Sequence, residues 1–245
     1  MSTPNVLILG GASDMGQAIA HAFASRGYSI TLAARKSARL EAAAADLAIR
    51  HNTEATLLDC DATNPEAPVQ LLEGLTTLPD VAVCVIGFMP EQASSERDPH
   101  LATAVLRSNF EGPARLMEAL GSRFAERGTG TLVGVSSVAG LRGRASNYIY
   151  GSAKAGFTAY LSGLRNRLHA HGVHVMTVLP GFVATRMTAH LDLPAALTAH
   201  ASQVAEAVYT GVTKQRNTLY TLPVWRLIML VIRAIPEPVF KRLSL

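Results

Sequence analysis

Two cysteines in 245 residues, Cys60 and Cys84, are too few for a disulfide framework. Both fall in apolar runs that read as strands, so buried thiols in a reducing compartment are expected. Charge is also scarce, at 16% against 49% hydrophobic residues, which excludes a disordered polar chain. The net charge is only +4, and no basic stripe interleaved with aromatics runs along the chain. That excludes the usual footprint of a nucleic-acid binder. The opening Met-Ser-Thr-Pro-Asn leads into a strand-like run with no charged leader, so no signal peptide is expected. In the C-terminal segment the longest uncharged apolar run, 227–232, falls far short of the ~20 residues of a membrane span. There is no linker, low-complexity block or internal repeat, and no metal site is expected. One cytoplasmic domain is the reading.

What is present is an alternation. Apolar runs at 6–9, 29–33, 56–60, 81–86, 131–135 and 173–179 read as strands. Helical patterns occupy 17–25, 38–50, 101–107, 111–126 and 152–170. Nearly continuous apolar strands separated by helices imply a parallel sheet covered on both faces. Short connections and right-handed crossovers make it a Rossmann-type doubly wound α/β sheet, a single domain over 1–222. The tail, 223–245, belongs to that domain but breaks the pattern. It sets Arg226, Arg233, Lys241 and Arg242 among apolar residues, and Pro236 and Pro238 divide it. Such a segment suits a lid over a substrate cleft or peripheral contact with an anionic membrane, at its inner face.

The first strand runs into Leu9-Gly10-Gly11-Ala12-Ser13-Asp14-Met15-Gly16. A Gly-rich turn before a first helix presents backbone N–H groups and a helix N-terminus to a pyrophosphate, although it also serves as a plain tight turn. An acid at the end of the second strand would select NAD, whereas an Arg accommodates the extra phosphate of NADP. Here the strand ends Ala34-Arg35-Lys36. NADP(H) is the expected cofactor.

Tyr150 and Lys154 lie four apart in a helical pattern and so share a face. A cation near a phenol lowers its pKa from about 10 by roughly 1–3 units, towards useful proton exchange with a carbonyl oxygen. Ser137 follows a strand directly, at the sheet edge where such folds carry chemistry. Asn109 sits in a helical stretch for which Asn has little propensity, as a water-holding group or a kink.

Together these ordered motifs resemble the short-chain dehydrogenase/reductase family along essentially the whole chain. The resemblance implies catalytic roles for Asn109, Ser137, Tyr150 and Lys154. It places the cofactor against Gly10, Ser13, Asp14, Met15, Gly16, Arg35, Asp61, Ala62, Gly87, Tyr150, Lys154, Pro180, Gly181, Val183 and Thr185. Asp61-Ala62 would meet the adenine, and Pro180-Gly181-Phe182-Val183-Ala184-Thr185 the nicotinamide end. The implied reaction is reduction of a ketone to a secondary alcohol by NADPH, in a homodimer or tetramer. Two departures stand out. The family's middle loop glycine is Asp14, an acid that should repel a pyrophosphate unless it turns back to cap the helix. Its Asn-Asn-Ala-Gly after the fourth strand is Cys84-Val85-Ile86-Gly87, so Asn109 needs other support. The loop, the segment from Arg142 to Lys154, the stretch from Thr185 to Leu191 and the tail are also similar to the decaprenylphosphoryl-2-keto-ribose reductase group. That narrower similarity implies a 2-keto sugar carried on a lipid. A soluble ketone substrate and a non-catalytic NADP-binding regulator remain as alternatives.

Overall fold

Alternation at a period of two decides where the side chains of the first strand go. In β1 (Asn5–Leu9), Val6 and Ile8 point to one face of the sheet and Leu7 and Leu9 to the other, all buried. A strand needs such a continuous apolar run only when both its faces are covered. The computed structural model, which describes residues 3–243, places β1 third in a seven-stranded sheet, with strands on both sides of it. The remaining elements, in chain order, are α1 (Asp14–Ala24), β2 (Ser29–Ala34), α2 (Glu41–His51), β3 (Ala55–Asp59), α3 (Ala67–Gly74), β4 (Val81–Cys84), α4 (Gln92–Arg97) and α5 (Pro99–Leu106). Then come α6 (Gly112–Arg127), β5 (Gly130–Val135), α7 (Tyr148–His169), β6 (Val173–Leu179), β7 (Phe182–Ala184), β8 (Thr198–His200), α8 (Ala201–Thr213), β9 (Thr218–Tyr220), α9 (Val224–Ala234) and α10 (Glu237–Phe240).

The strand order is β3-β2-β1-β4-β5-β6-β9, and every pair is parallel. Val6 lies beside Ile30 of β2 and Val81 of β4, so the chain's winding reverses at β1. On one face Ile19 and Phe23 of α1, Leu47 of α2 and Val204 and Val208 of α8 close the core. On the other, Leu71 of α3, Leu120 and Phe124 of α6 and Phe157 and Leu161 of α7 do so. This is the doubly wound α/β sheet expected from the sequence. A crevice opens at the carboxyl ends of β1 and β4, where such sheets hold ligands.

Several boundaries differ from expectation, each for a local reason. Helix α1 begins at Asp14 rather than 17, because Ser13 caps it. The predicted helix at 38–50 is a 3₁₀ turn, Ser37–Leu40, followed by α2. Cys60 lies just beyond β3, and β4 ends at Cys84, so Ile86 and Gly87 are loop residues. The helices expected at 101–107 and 111–126 are one continuous run, with a π turn at Arg107–Glu111 that contains Asn109. Helix α7 begins at Tyr148 rather than 152, which puts Tyr150 in its first turn. The short elements α3, α4 and β7 to β9, and the helix α8, had no clear signal of their own.

The tail is helical and two-sided. Trp225 and Met229 of α9 bury against Val138 and Leu179, with Ile228 and Ile232 half-buried beside them. The Trp225 ring meets Phe182 edge-on at 5.0 Å, and its Nε1 donates to the Leu197 carbonyl at 3.0 Å. Arg142 secures the end of α9. Its guanidinium donates to the carbonyls of Arg233 and Ile235 at 3.0 and 2.8 Å, pairs with Glu237 at 2.9 Å and stacks on Phe240. The opposite face of α9 exposes Val224, Leu227, Leu230 and Val231, the last three at 64%, 67% and 58%. Among the described residues no helix is long and apolar enough to cross a membrane.

Candidate active site

The turn out of β1 reverses the chain within a few residues. Gly10 takes φ +93°, which is costly for any residue with a Cβ. Ser13 caps α1: its Oγ accepts from Gly16 N at 3.0 Å and donates to the Gly10 carbonyl at 2.8 Å. A Cβ on Gly16 would come within 2.5 Å of that same carbonyl oxygen. Both glycines are therefore dictated by close packing. Ser13, Asp14 and Met15, at the start of α1, line a cleft of about 730 Å³.

Asp14 does not cap the helix, the role left open for it by the sequence. Its carboxylate accepts from the backbone N and the Nε of Arg186, both at 2.7 Å. Arg186 Nη2 also donates to the Ala12 carbonyl at 2.8 Å. The acid is paired with a cation from a segment 172 residues away.

The neighbouring wall comes from the ends of β2 and β3. Arg35 lines the cleft and is exposed. Its expected companion Lys36 does not line it; with φ +53° that residue starts the 3₁₀ turn. Arg39, four residues after Arg35, lines the cleft instead. The sequence reading missed it, although an Arg one helical turn after a candidate phosphate ligand is a usable signal. Asp59, the acid at the end of β3, accepts from Ser37 N at 2.6 Å and so holds the turn. Asp61 accepts from the N and Oγ1 of Thr63, at 3.0 and 2.8 Å, which orients the edge where Asp61, Ala62 and Thr63 line the cleft. His100, Thr103, Arg107 and Ser108 line the far side, also unforeseen.

Of the four candidate catalytic residues, Asn109 and Lys154 stand behind Gly87 on the cleft wall, Tyr150 lies beside Lys154 with Ser137 next to it, and none of the four lines the cleft itself. Asn109 is fully buried: its Nδ2 donates to the carbonyls of Phe88 and Val105 at 2.6 and 2.9 Å, and its Oδ1 accepts from Phe88 N at 3.2 Å. The loop after β4, which lacks the family's paired asparagines, supports Asn109 through backbone. A Cβ on Gly87 would touch Asn109 Oδ1 at 3.3 Å and Lys154 Nζ at 3.7 Å, so this glycine lets the cleft approach both. Lys154 is 3% exposed, and its Nζ donates to the carbonyls of Val135 and Ile86 at 3.1 and 3.4 Å. Burial pushes its pKa down to about 8. Ser137 accepts from Ala139 N at 3.1 Å and lies near enough to the phenol of Tyr150 to influence its proton. Burial pushes that phenol up to about 12, with Ser137 pulling the other way. The sequence suggested that Lys154 lowers the phenol. Here burial raises the phenol instead, and the ammonium, 5.8 Å from the Tyr150 ring centre, is turned to carbonyls. Neighbouring Ser136 is structural, bonded to the Lys154 carbonyl at 2.9 Å and to Thr158 at 2.6 Å.

The Pro180–Thr185 element divides. Only Thr185 reaches the cleft wall. The Pro180 carbonyl accepts from Val138 N at 3.0 Å, Gly181 lies beneath the Trp225 ring, and Val183 is buried in the core. These three residues shape the segment rather than line the cleft.

Residues 4–195 match the short chain dehydrogenase family. The chain belongs to that family. An uncharacterized oxidoreductase of Streptomyces coelicolor is 37% identical over 242 residues, covering 98% of this chain and 95% of its own. One from Mycobacterium tuberculosis is 32% identical over 241 residues, covering 97% and 96%. A Sphingobium yanoikuyae short-chain dehydrogenase in complex with NADPH has a TM-score of 0.82 at 24% identity, covering 96% of this chain and 97% of its own. A Burkholderia cenocepacia short chain dehydrogenase in complex with NADP has 0.85 at 21%, covering 100% and 98%. At those identities the two structures establish the fold. For a short chain dehydrogenase the two cysteines are unremarkable: both are buried, and burial pushes Cys60 and Cys84 up to about 12 and about 11, so neither is a reactive thiol.

Proposed function

We propose that this oxidoreductase uses NADPH to reduce a ketone to a secondary alcohol. The observation that carries the reading is Lys154 behind Gly87 on the wall of a cleft that starts on a glycine turn and a helix N-terminus, with the Tyr150 ring 5.8 Å from its ammonium and Ser137 next to the phenol. The residues fit a dinucleotide. Gly10 lines the cleft, Gly16 is packed beneath the turn and shapes it without lining the cleft, and the start of α1 offers N–H groups to a pyrophosphate. Arg35 and Arg39 suit a 2′-phosphate, the more so because Asp59 is engaged elsewhere. NADPH-bound and NADP-bound relatives of the same fold support the same choice.

Bound there, a dihydronicotinamide supplies the hydride that the carbonyl carbon accepts. The protein manages the oxygen. Ser137 donates a hydrogen bond to it, and Tyr150, whose phenol is protonated at neutral pH and raised further by burial, gives it the phenolic proton. Lys154 stands behind Gly87, able to return a proton to the phenolate. Ketone, NADPH and a proton become alcohol and NADP⁺. The Asn109 side chain is committed to Phe88 and Val105, so its part is to hold the loop that carries Gly87. Proton donation also argues against a purely regulatory NADP-binding role, which needs no Ser–Tyr–Lys set. The test is NADPH oxidation with a ketone panel. Tyr150→Phe should keep the fold and cofactor binding and lose at least about 10²-fold in rate, the usual weight of general acid catalysis. A variant that turns over the same ketone at the wild-type rate would remove Tyr150 from the mechanism.

The exposed face of α9 favours a substrate carried in lipid. It projects Leu227, Leu230 and Val231 into solvent on a helix whose other side packs on Val138, next to Ser137. Exposed Arg226, Arg233, Lys241 and Arg242 flank it, while the tail's acid, Glu237, is paired with Arg142. Apolar residues rimmed by cations complement an anionic lipid surface, and two like faces would repel. A 2-keto sugar on a polyprenyl phosphate is a substrate of this class.

A further inference from the structure

The family's middle glycine is Asp14 here, and what the acid does is visible only in three dimensions. Asp14 opens α1 at the floor of the cleft, while Arg186 stands on the segment that follows β7. The carboxylate takes two hydrogen bonds from that one residue, from its backbone N and its Nε. The guanidinium then reaches back to the Ala12 carbonyl of the glycine turn. Three bonds of 2.7 to 2.8 Å therefore tie one short segment to the other. Both partners line the cleft, as do Ala12, Ser13, Thr185 and Met187 around them. The side chains stay partly in solvent, 30% exposed for Asp14 and 75% for Arg186.

We propose that Asp14 and Arg186 form a clasp that closes the 185–188 segment over the pyrophosphate end of the cleft and cancels the charge of the intruding acid. The inference rests on the dinucleotide reading above. Alone, Asp14 would set a negative charge beside two phosphates. Paired with Arg186 it presents no net charge there, and the bond to the Arg186 backbone gives the segment a fixed position. The clasp thus makes an acid tolerable where the family carries glycine, and it couples Thr185 on the cleft wall to the loop beneath the cofactor. Asp14 and Arg186 are positioning residues, with no part in proton transfer.

The two halves of the proposal predict effects of opposite sign for the two partners. Arg186→Ala leaves Asp14 unpaired, and NADPH affinity should fall by about tenfold or more, since like charges a few ångströms apart at a protein surface repel strongly. Asp14→Asn should bind NADPH at least as tightly as wild type. The double variant Asp14→Asn/Arg186→Ala should recover to within about threefold of Asp14→Asn, because without the acid there is little left to neutralise. Amide hydrogen exchange in the cofactor-free protein is the second readout: residues 185–190 should exchange faster in Arg186→Ala and in the double variant. Equal weakness of Arg186→Ala and the double variant would overturn charge cancellation and make Arg186 a direct ligand. Unchanged exchange in both would overturn the clasp. A wild-type protein that binds neither NADPH nor NADH would overturn the dinucleotide reading, and with it the charge half, while the exchange arm still decides the clasp.

Discussion

At Lys154 an ammonium is buried among backbone carbonyls, and burial holds its pKa near about 8 instead of the usual 10.5. The folded state thus binds the proton less tightly than the unfolded chain. That penalty is complete below about pH 8 and is relieved as pH rises from about 8 towards the unfolded value. Set against the ordinary lysine value, it amounts to about 3 kcal/mol. Denaturation of wild type and Lys154→Met should therefore differ in pH dependence. Wild type should gain stability relative to the Met variant between pH 8 and 10, and the variant should be inactive throughout. A pH-independent difference would mean that Lys154 titrates normally. The Tyr–Lys spacing itself was legible in the sequence because a helix puts residues four apart on one side. The direction of the Tyr150 shift was not. It depends on how much water the packed cleft excludes, and no local pattern encodes that.

At the scale of elements, the proposed use of NADPH rests on the end of β2 and the 3₁₀ turn after it. Arg35 sits at the strand end and Arg39 one turn on, and both face the cleft. A charge-assisted contact to a phosphate is worth roughly 1.5–3 kcal/mol. Wild type should prefer NADPH over NADH by about tenfold or more, Arg35→Ala should lose most of that preference, and Arg35→Ala/Arg39→Ala the rest. Fluorescence titration with both cofactors measures it, and equal wild-type affinities would sink the assignment. Lys36→Ala should leave the preference unchanged, because the left-handed residue at 36 is excluded from the cleft. The π turn at Asn109 belongs to the same scale. Asn is a poor helix former, and the sequence left water-holding and kinking as alternatives. The structure shows an interrupted helix whose Asn reaches across to the Phe88 backbone.

At the scale of the whole molecule, the tail joins the core and the surface. Trp225 packs beneath Leu197 and against Gly181, so cutting the chain before it would unroof Val138 and Leu179. Lipid binding is better tested by changing the exposed face alone, with Leu227→Ser/Leu230→Ser/Val231→Ser. Wild type should sediment with anionic vesicles at low salt and be released as salt rises, since each cation near such a surface contributes about 1 kcal/mol. The triple variant should stay in solution with its melting temperature within a few degrees of wild type. If wild type does not sediment, but self-associates in a way that the triple variant abolishes, the face is an interface between copies and the lipid-borne substrate reading falls.

The sequence by itself determined the sheet and the glycine turn, because those features obey local periods and short spacings, while the Ser137–Tyr150–Lys154 set was legible only through the ordered motifs that resemble the family. Strand alternation, helical repeat and a strand-to-helix turn are written within a dozen residues of one another. Only the tertiary structure decided the partner of Asp14, the second arginine at the cleft, the backbone support of Asn109 and the two faces of α9. Each depends on which distant segment folds into reach, as Arg186 does for Asp14 across 172 residues. A single α/β chain settles such contacts by packing its loops at the sheet's carboxyl edge. There the backbone is irregular, so no periodic signal announces which side chains will meet.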